Sequence, residues 1–168
     1  LMDAEAIDIL STLPIWRTVR LGIKRTAREY LADSVRTKWF GPDVEWILDS
    51  IPVCASSIEL DLVRFPTSIL RFNKKFPTHA DVAARAIECG LEECPAEVAV
   101  VLRAVYLEQP VDEWVKLAMS LPRRSDHFYA QLWSHRCGDL YLTAQPGPID
   151  GITMDEDLWV FKRPRSLF

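Results

Sequence analysis

Between residues 95 and 108, apolar side chains fall at Val98, Val101, Leu102 and Val105, the i, i+3, i+4, i+7 stripe of a helix. Ala96, Ala99, Val100, Ala104 and Leu107 cover much of the opposite side. A helix that is apolar nearly all round is buried, so this segment is expected to be a central core helix. Pro95, with its fixed φ and missing N–H, is placed at its first position. The preceding stretch predicts another helix, with Thr78 as N-cap, Asp81 three residues on and Gly90 as the stop. Nearer the N-terminus, residues 3 to 11 read as a short amphipathic helix with Ala6, Ile7 and Leu10 on one side. "IWRTVRLG" reads as a strand closed by Gly22. "RTAREYLADSVRTKWFG" reads as one helix starting after Thr26, with Ala27, Tyr30, Leu31 and Val35 inward. "PDVEWILDSIP" is a shorter helix, and "IELDLVRF" is a strand with Ile58, Leu60 and Leu62 on one face.

From residue 111 the period changes from helix to strand. "EWVKLAMSL" alternates through Val115, Leu117, Met119 and Leu121, and "HFYAQLWSH", "DLYLTA" and "DLWVFKR" follow with short polar separators. The expected fold is α+β. A single domain over residues 1–168 has an N-terminal strand and helices, the buried central helix and a C-terminal antiparallel meander of about four strands. The short "VCASS" segment at 53–57 is the one internal linker candidate, which would set off an N-terminal subdomain at 1–52.

Composition changes this picture little. The chain has 168 residues with 49% hydrophobic and 26% charged content, which argues against wholesale disorder. Apolar runs such as "VAVVL" are far shorter than the roughly 20 residues of a membrane span, so no membrane partner is expected. The acidic start lacks the basic region of a secretory signal. With four unpatterned cysteines, a reducing, cytoplasmic setting is the expectation. Charge is unevenly spread: residues 76–113 hold two basic against eight acidic side chains.

That acidic zone bears on the candidate chemistry. Cys94 stands in "ECGLEECPAEV" at a predicted helix start, where the helix dipole favours thiolate, but Glu92, Glu93 and Glu97 oppose it. Cys89, Cys94, His135 and Cys137 are four ligand-type residues, but without the paired tight-turn spacing of structural zinc sites. No metal or cofactor is therefore expected, and Cys94 is the weak catalytic candidate. His79 and His127, the other histidines, stand at no diagnostic spacing from it. The helices flanking "GLEEC" have helix-turn-helix length, but the acidic zone repels phosphate. Arg17, Arg20, Lys24, Arg25 and Arg28 accumulate before the next acid, Glu29, and are the better candidates for an anionic partner, nucleic acid included. Glu59 and Asp61 share a strand face, as acid/base residues or as ion-pair partners. Arg103, on the buried helix, requires a carboxylate, with Glu113, Asp61 or another strand residue as the expected partner. Were it to open onto a pocket, it would bind an anionic group.

The segments "ELDLV", "GLEECPAEVAVVLRAVYLEQPVDEWVKLAM" and "DLWVFKRP" together resemble a family of small bacterial hypothetical proteins. That family shares a GLELCPAEV…LR…Y…DQP…EW…AM pattern. This chain departs from it at Ala99 and in the "RRSDHF" turn. The resemblance implies a bacterial source and one recurring fold, and no reaction. The function expected is a non-enzymatic module for protein–protein contact, because six tryptophans exceed core needs and interfaces favour exposed Trp. Nucleic-acid association through residues 17–28, and an enzyme using Cys94 or Glu59/Asp61, are the alternatives.

Overall fold

The computed structural model describes residues 2–120, 128–146 and 151–165. Among them, eight strands form one sheet: β1 (Arg17–Leu21), β2 (Thr37–Trp39), β3 (Ile58–Pro66), β4 (Cys94–Pro95), β5 (Trp114–Ser120), β6 (Phe128–Ser134), β7 (Leu140–Pro146) and β8 (Leu158–Arg163). The order across it is β1-β3-β8-β5-β6-β7-β2, with β4 pairing beside β5. The helices are α1 (Ala4–Ser11), α2 (Ala27–Leu31), α3 (Pro42–Ser50), α4 (His79–Glu88) and α5 (Glu97–Val105).

The four-strand terminal meander is overturned. β5, β6 and β7 do pair antiparallel in succession, but β8 leaves them and lies between β3 and β5, antiparallel to the first and parallel to the second. The result is a large curled mixed sheet, not a separate C-terminal block. The physical reason lies in the strands themselves. β8 carries a continuous apolar run, Leu158 to Phe161, and β3 is buried from Leu60 through Val63. Strands apolar on both faces belong in the sheet's interior, covered on both sides. On one face Leu60, Leu62, Val115, Leu117 and Val160 meet α2, α3 and α5. On the other, Val63, Phe65, Trp159 and Phe161 meet α1 and α4. The first 52 residues supply β1 and β2 to this same sheet.

Two boundaries also shift. The helix expected from residue 27 onward ends at Leu31, and Val35 is 90% exposed. The Ser34 hydroxyl competes for backbone hydrogen bonds there, accepting from Arg36 N–H, while Thr37 N–H donates to the Ser34 carbonyl, and the chain turns into β2. Pro95 is not the first residue of α5. With Cys94 it forms β4, parallel to β5 at Met119 and Ser120, and the helix begins two residues later. Thr78 and Asp81 make the full reciprocal cap of α4. Every residue of α5 from Glu97 to Arg103 is buried.

The turn after β1 brings two segments into close contact. Gly22 has φ +71°, and a Cβ there would lie 2.3 Å from the Ser56 carbonyl oxygen. Both the left-handed backbone and the lack of space demand glycine. Gly22→Ala is expected to destabilise the fold by about 2–3 kcal/mol, read as a lowered urea midpoint with unchanged slope.

Candidate functional site

α5 is buried with a charge at each end. The Glu97 carboxylate accepts hydrogen bonds from Gly22 N–H (2.7 Å), the Tyr30 hydroxyl (2.8 Å) and Cys54 N–H (2.9 Å). It sits in the first turn, where the positive end of the helix dipole favours an anion. Arg103, in the last turn, is 0% exposed. Its guanidinium donates to the Tyr106 carbonyl (2.6 Å), the Gln109 side-chain oxygen (2.7 Å) and the Tyr141 carbonyl (3.3 Å). The carboxylate pairing expected for Arg103 is therefore not found. Among the described residues no acid lies within ion-pair reach of it, and the end of the helix and the carbonyls take that role. Burial pushes the guanidinium down to about 10, still charged at neutral pH. With no exposed surface it offers nothing to an external anion.

The two acids named for Arg103 are engaged elsewhere. Glu113 accepts from the Tyr106 hydroxyl at 2.8 Å and lies 3.5 Å from Arg64. Asp61 accepts from Thr18 (2.7 Å) and Arg165 (2.9 Å), and Glu59 pairs with Arg20 (2.9 Å) and Arg165 (3.3 Å). Arginine contacts hold both carboxyls below their usual range, so Glu59 and Asp61 act as ion-pair residues.

The basic run is largely neutralised within the chain. Arg17 pairs with Glu108, Arg20 with Glu59, Lys24 with Asp33 (3.1 Å), and Arg28 with both Glu45 (2.7 Å) and Asp49 (2.9 Å). Arg17, Arg20 and Lys24 do converge on one cleft of about 270 Å³, floored by Val101 and Val105 of α5. Arg25 and Arg28 line a separate depression against α3. Beside Arg17 the sequence reading missed a hub, Tyr106. Trp16 meets it edge-on at 5.1 Å, the Arg17 guanidinium lies 5.1 Å from its ring, and its hydroxyl accepts from Arg64 at 2.8 Å. Burial and the Glu113 carboxylate push the Tyr106 hydroxyl up to about 12, partly offset by Arg64. The only sequence signal for it was a lone tyrosine ending an apolar helix.

The cysteines are scattered. Cys94 is 0% exposed in β4, and burial pushes its thiol far above the usual range, so the helix-dipole argument for a thiolate loses its basis. Cys89 is buried at the end of α4, while His135 and Cys137 share the hairpin turn between β6 and β7. The four zinc-type residues are thus not brought together, and no group of three or more metal-type side chains occurs among the described residues. His127 lies outside the described residues. His79 is on the sheet's other face, 3.4 Å from Lys116, which in turn pairs with Asp157 at 3.0 Å.

The tryptophans divide between core and surface. Trp159 is buried, and Trp39, Trp46 and Trp114 are exposed. Register places Trp114, Trp133, Tyr141 and Lys38 in one row across β5, β6, β7 and β2. The rings follow it: Trp114 stacks on Trp133 at 4.8 Å, Trp133 on Tyr141 at 5.4 Å, and Phe40 meets Tyr141 edge-on at 5.6 Å. Both ends stay open, with Trp114 and Phe40 each 42% exposed. This row is the candidate functional surface.

Two outcomes follow from the buried charges and the hub. Glu97→Ala orphans two N–H groups and a hydroxyl, and is expected to cost about 3–5 kcal/mol in denaturant unfolding. Tyr106 keeps its proton longer in the folded state than its ordinary 10 allows, so its contribution is fully present below pH 10. It is lost as pH climbs through about 12. Burial also raises the Tyr30 hydroxyl, so ultraviolet titration should show late tyrosinate absorbance, of which one tyrosine's share is lost in Tyr106→Phe. No helix among the described residues is long and apolar enough to cross a membrane. No family model, curated protein or solved structure matches this chain.

Proposed function

We propose that the protein is a non-enzymatic interaction module that docks an extended, acidic segment of a partner protein along its aromatic row. The observation that supports this reading is the four-position row Trp114–Trp133–Tyr141–Lys38 lying next to an edge strand. Its rings are already packed against one another, so docking immobilises little that is mobile, and aromatic side chains with cations are the residues that dominate protein interfaces. Lys38 ends the row, is exposed and has no carboxylate partner among the described residues, which favours an acidic occupant. The bacterial source and cytoplasmic setting belong to the same reading.

The alternatives have less to stand on. Four of the five cations at residues 17–28 are matched by acids of the same chain, which weakens the phosphate attraction that nucleic-acid binding needs. The enzyme reading rested on Cys94, which is buried, and on Glu59 and Asp61, which Arg165 engages.

Selection of peptides from a displayed random library against the folded protein tests the proposal. The expected winners combine aromatic or aliphatic residues with Asp or Glu, and bind in the micromolar range. Their affinity should fall about tenfold or more in Trp114→Ala and in Lys38→Glu. Selected peptides that bind both variants as tightly as the parent would overturn the docking surface. Tighter, salt-sensitive binding of a single-stranded oligonucleotide would overturn the choice of partner.

A further inference from the structure

The turn joining β6 to β7 carries a thiol and an imidazole in direct contact. His135 Nδ1 lies 2.8 Å from Cys137 Sγ and accepts the Cys137 backbone N–H at 3.1 Å. A nitrogen that accepts a backbone N–H carries no proton of its own, so the ring's proton sits on Nε2, and Nδ1 gives up that N–H contact when it takes the thiol's proton. The ring is fixed in place: it packs edge-on against Trp133 at 4.8 Å and against Tyr141 at 6.2 Å. The turn is closed by His135 N–H to the Asp139 carbonyl (2.9 Å) and Gly138 N–H to the His135 carbonyl (2.9 Å). Cys137 is exposed. A nucleophile in hydrogen-bond reach of a base, with that base held by further contacts, is the arrangement that activated thiols use.

The other three thiols are in opposite circumstances. Cys89 and Cys94 are buried, and burial pushes both thiols up. Cys54 is half-buried, and burial together with the neighbouring Glu97 carboxylate pushes it up as well.

We propose that Cys137 is a thiol–disulfide exchange site, with His135 as its base and a low-molecular-weight disulfide as its substrate. Cys137 Sγ gives its proton to His135 Nδ1, and the sulfur attacks one sulfur of the disulfide. The substrate's S–S bond breaks as the new S–S bond forms. The departing sulfur leaves as thiolate and takes the proton from His135. Cys137 is oxidised to the mixed disulfide, and the departing sulfur is reduced to a thiol. This chemistry does not rest on the docking function of the aromatic row.

Mixing the folded protein with dithiobis(nitrobenzoic acid) tests it. One thiol should react in a fast phase, mapped to Cys137 by peptide mass spectrometry and absent in Cys137→Ser. Guanidinium should release the remaining thiols of the four-cysteine chain. At pH 7 the fast phase should slow about tenfold or more in His135→Asn and His135→Ala. Circular dichroism and the urea midpoint of each variant separate a lost base from a lost fold. A fast phase surviving Cys137→Ser would overturn the proposal. So would folded His135→Asn and His135→Ala variants that react as fast as the wild type.

Discussion

The fold turns on a helix that carries two opposite charges into the core, with no ion-pair partner for either among the described residues. Isolated buried charges cost several kcal/mol each, and here the helix itself supplies much of the compensation. Glu97 lies at its positive end and gathers three donors, while Arg103 lies at its negative end and binds carbonyls and an amide. Each of these contacts reaches a different segment. Glu97 ties the turn after β1 and the loop before β3 to the same atom pair, and Arg103 ties the exit of α5 to β7. The charges therefore fix which loops can surround the helix, a specificity that apolar side chains of equal volume would not provide.

The same economy of charge shapes the surface. Glu108 and Glu59 reach from elsewhere in the chain to meet Arg17 and Arg20, so the basic run and part of the acidic zone cancel in space although they are separate in sequence. On the other face, polar residues hold loops down: Asp157 accepts from Lys116, Thr153 and Met154 N–H, and the Trp159 indole donates to Thr67. Rings also meet on that face, Phe65 with Phe161 and Trp159 with Phe161, but there they are buried, whereas the aromatic row opens at Trp114 and Phe40.

Local signals were legible and remote ones were not. The cap at Thr78, the apolar girth of α5 and the succession β5–β6–β7 are written in short stretches, where period and capping chemistry act over a few residues. β8 was read as a strand, but its place beside β3 is decided by a pairing almost a hundred residues away. The end of α2 was misjudged because Val35 fits the helical period, although nothing covers it. At the candidate sites, Arg17 and Glu113 were named without the tyrosine that links them. His135 and Cys137 were weighed only as zinc-type residues and set aside, because sequence spacing alone does not reveal that a thiol points at an imidazole. The aromatic row was legible only as a surplus of tryptophan, since register across four strands is a tertiary property.

The position of β8 carries a consequence for how the chain reaches this state. Its residues are among the last in the sequence, but they occupy the middle of the sheet, between β3 and β5. Until they arrive, β3 and β5 each expose an unpaired edge, and Val63 and Phe65 lack the neighbours Trp159 and Phe161. A ribosome-bound chain short of residue 158 is thus two half-sheets with sticky borders, the kind of species chaperones hold. The sheet is closed by a keystone that arrives after its neighbours, and its vulnerable moment is the interval before residues 158–163 are made.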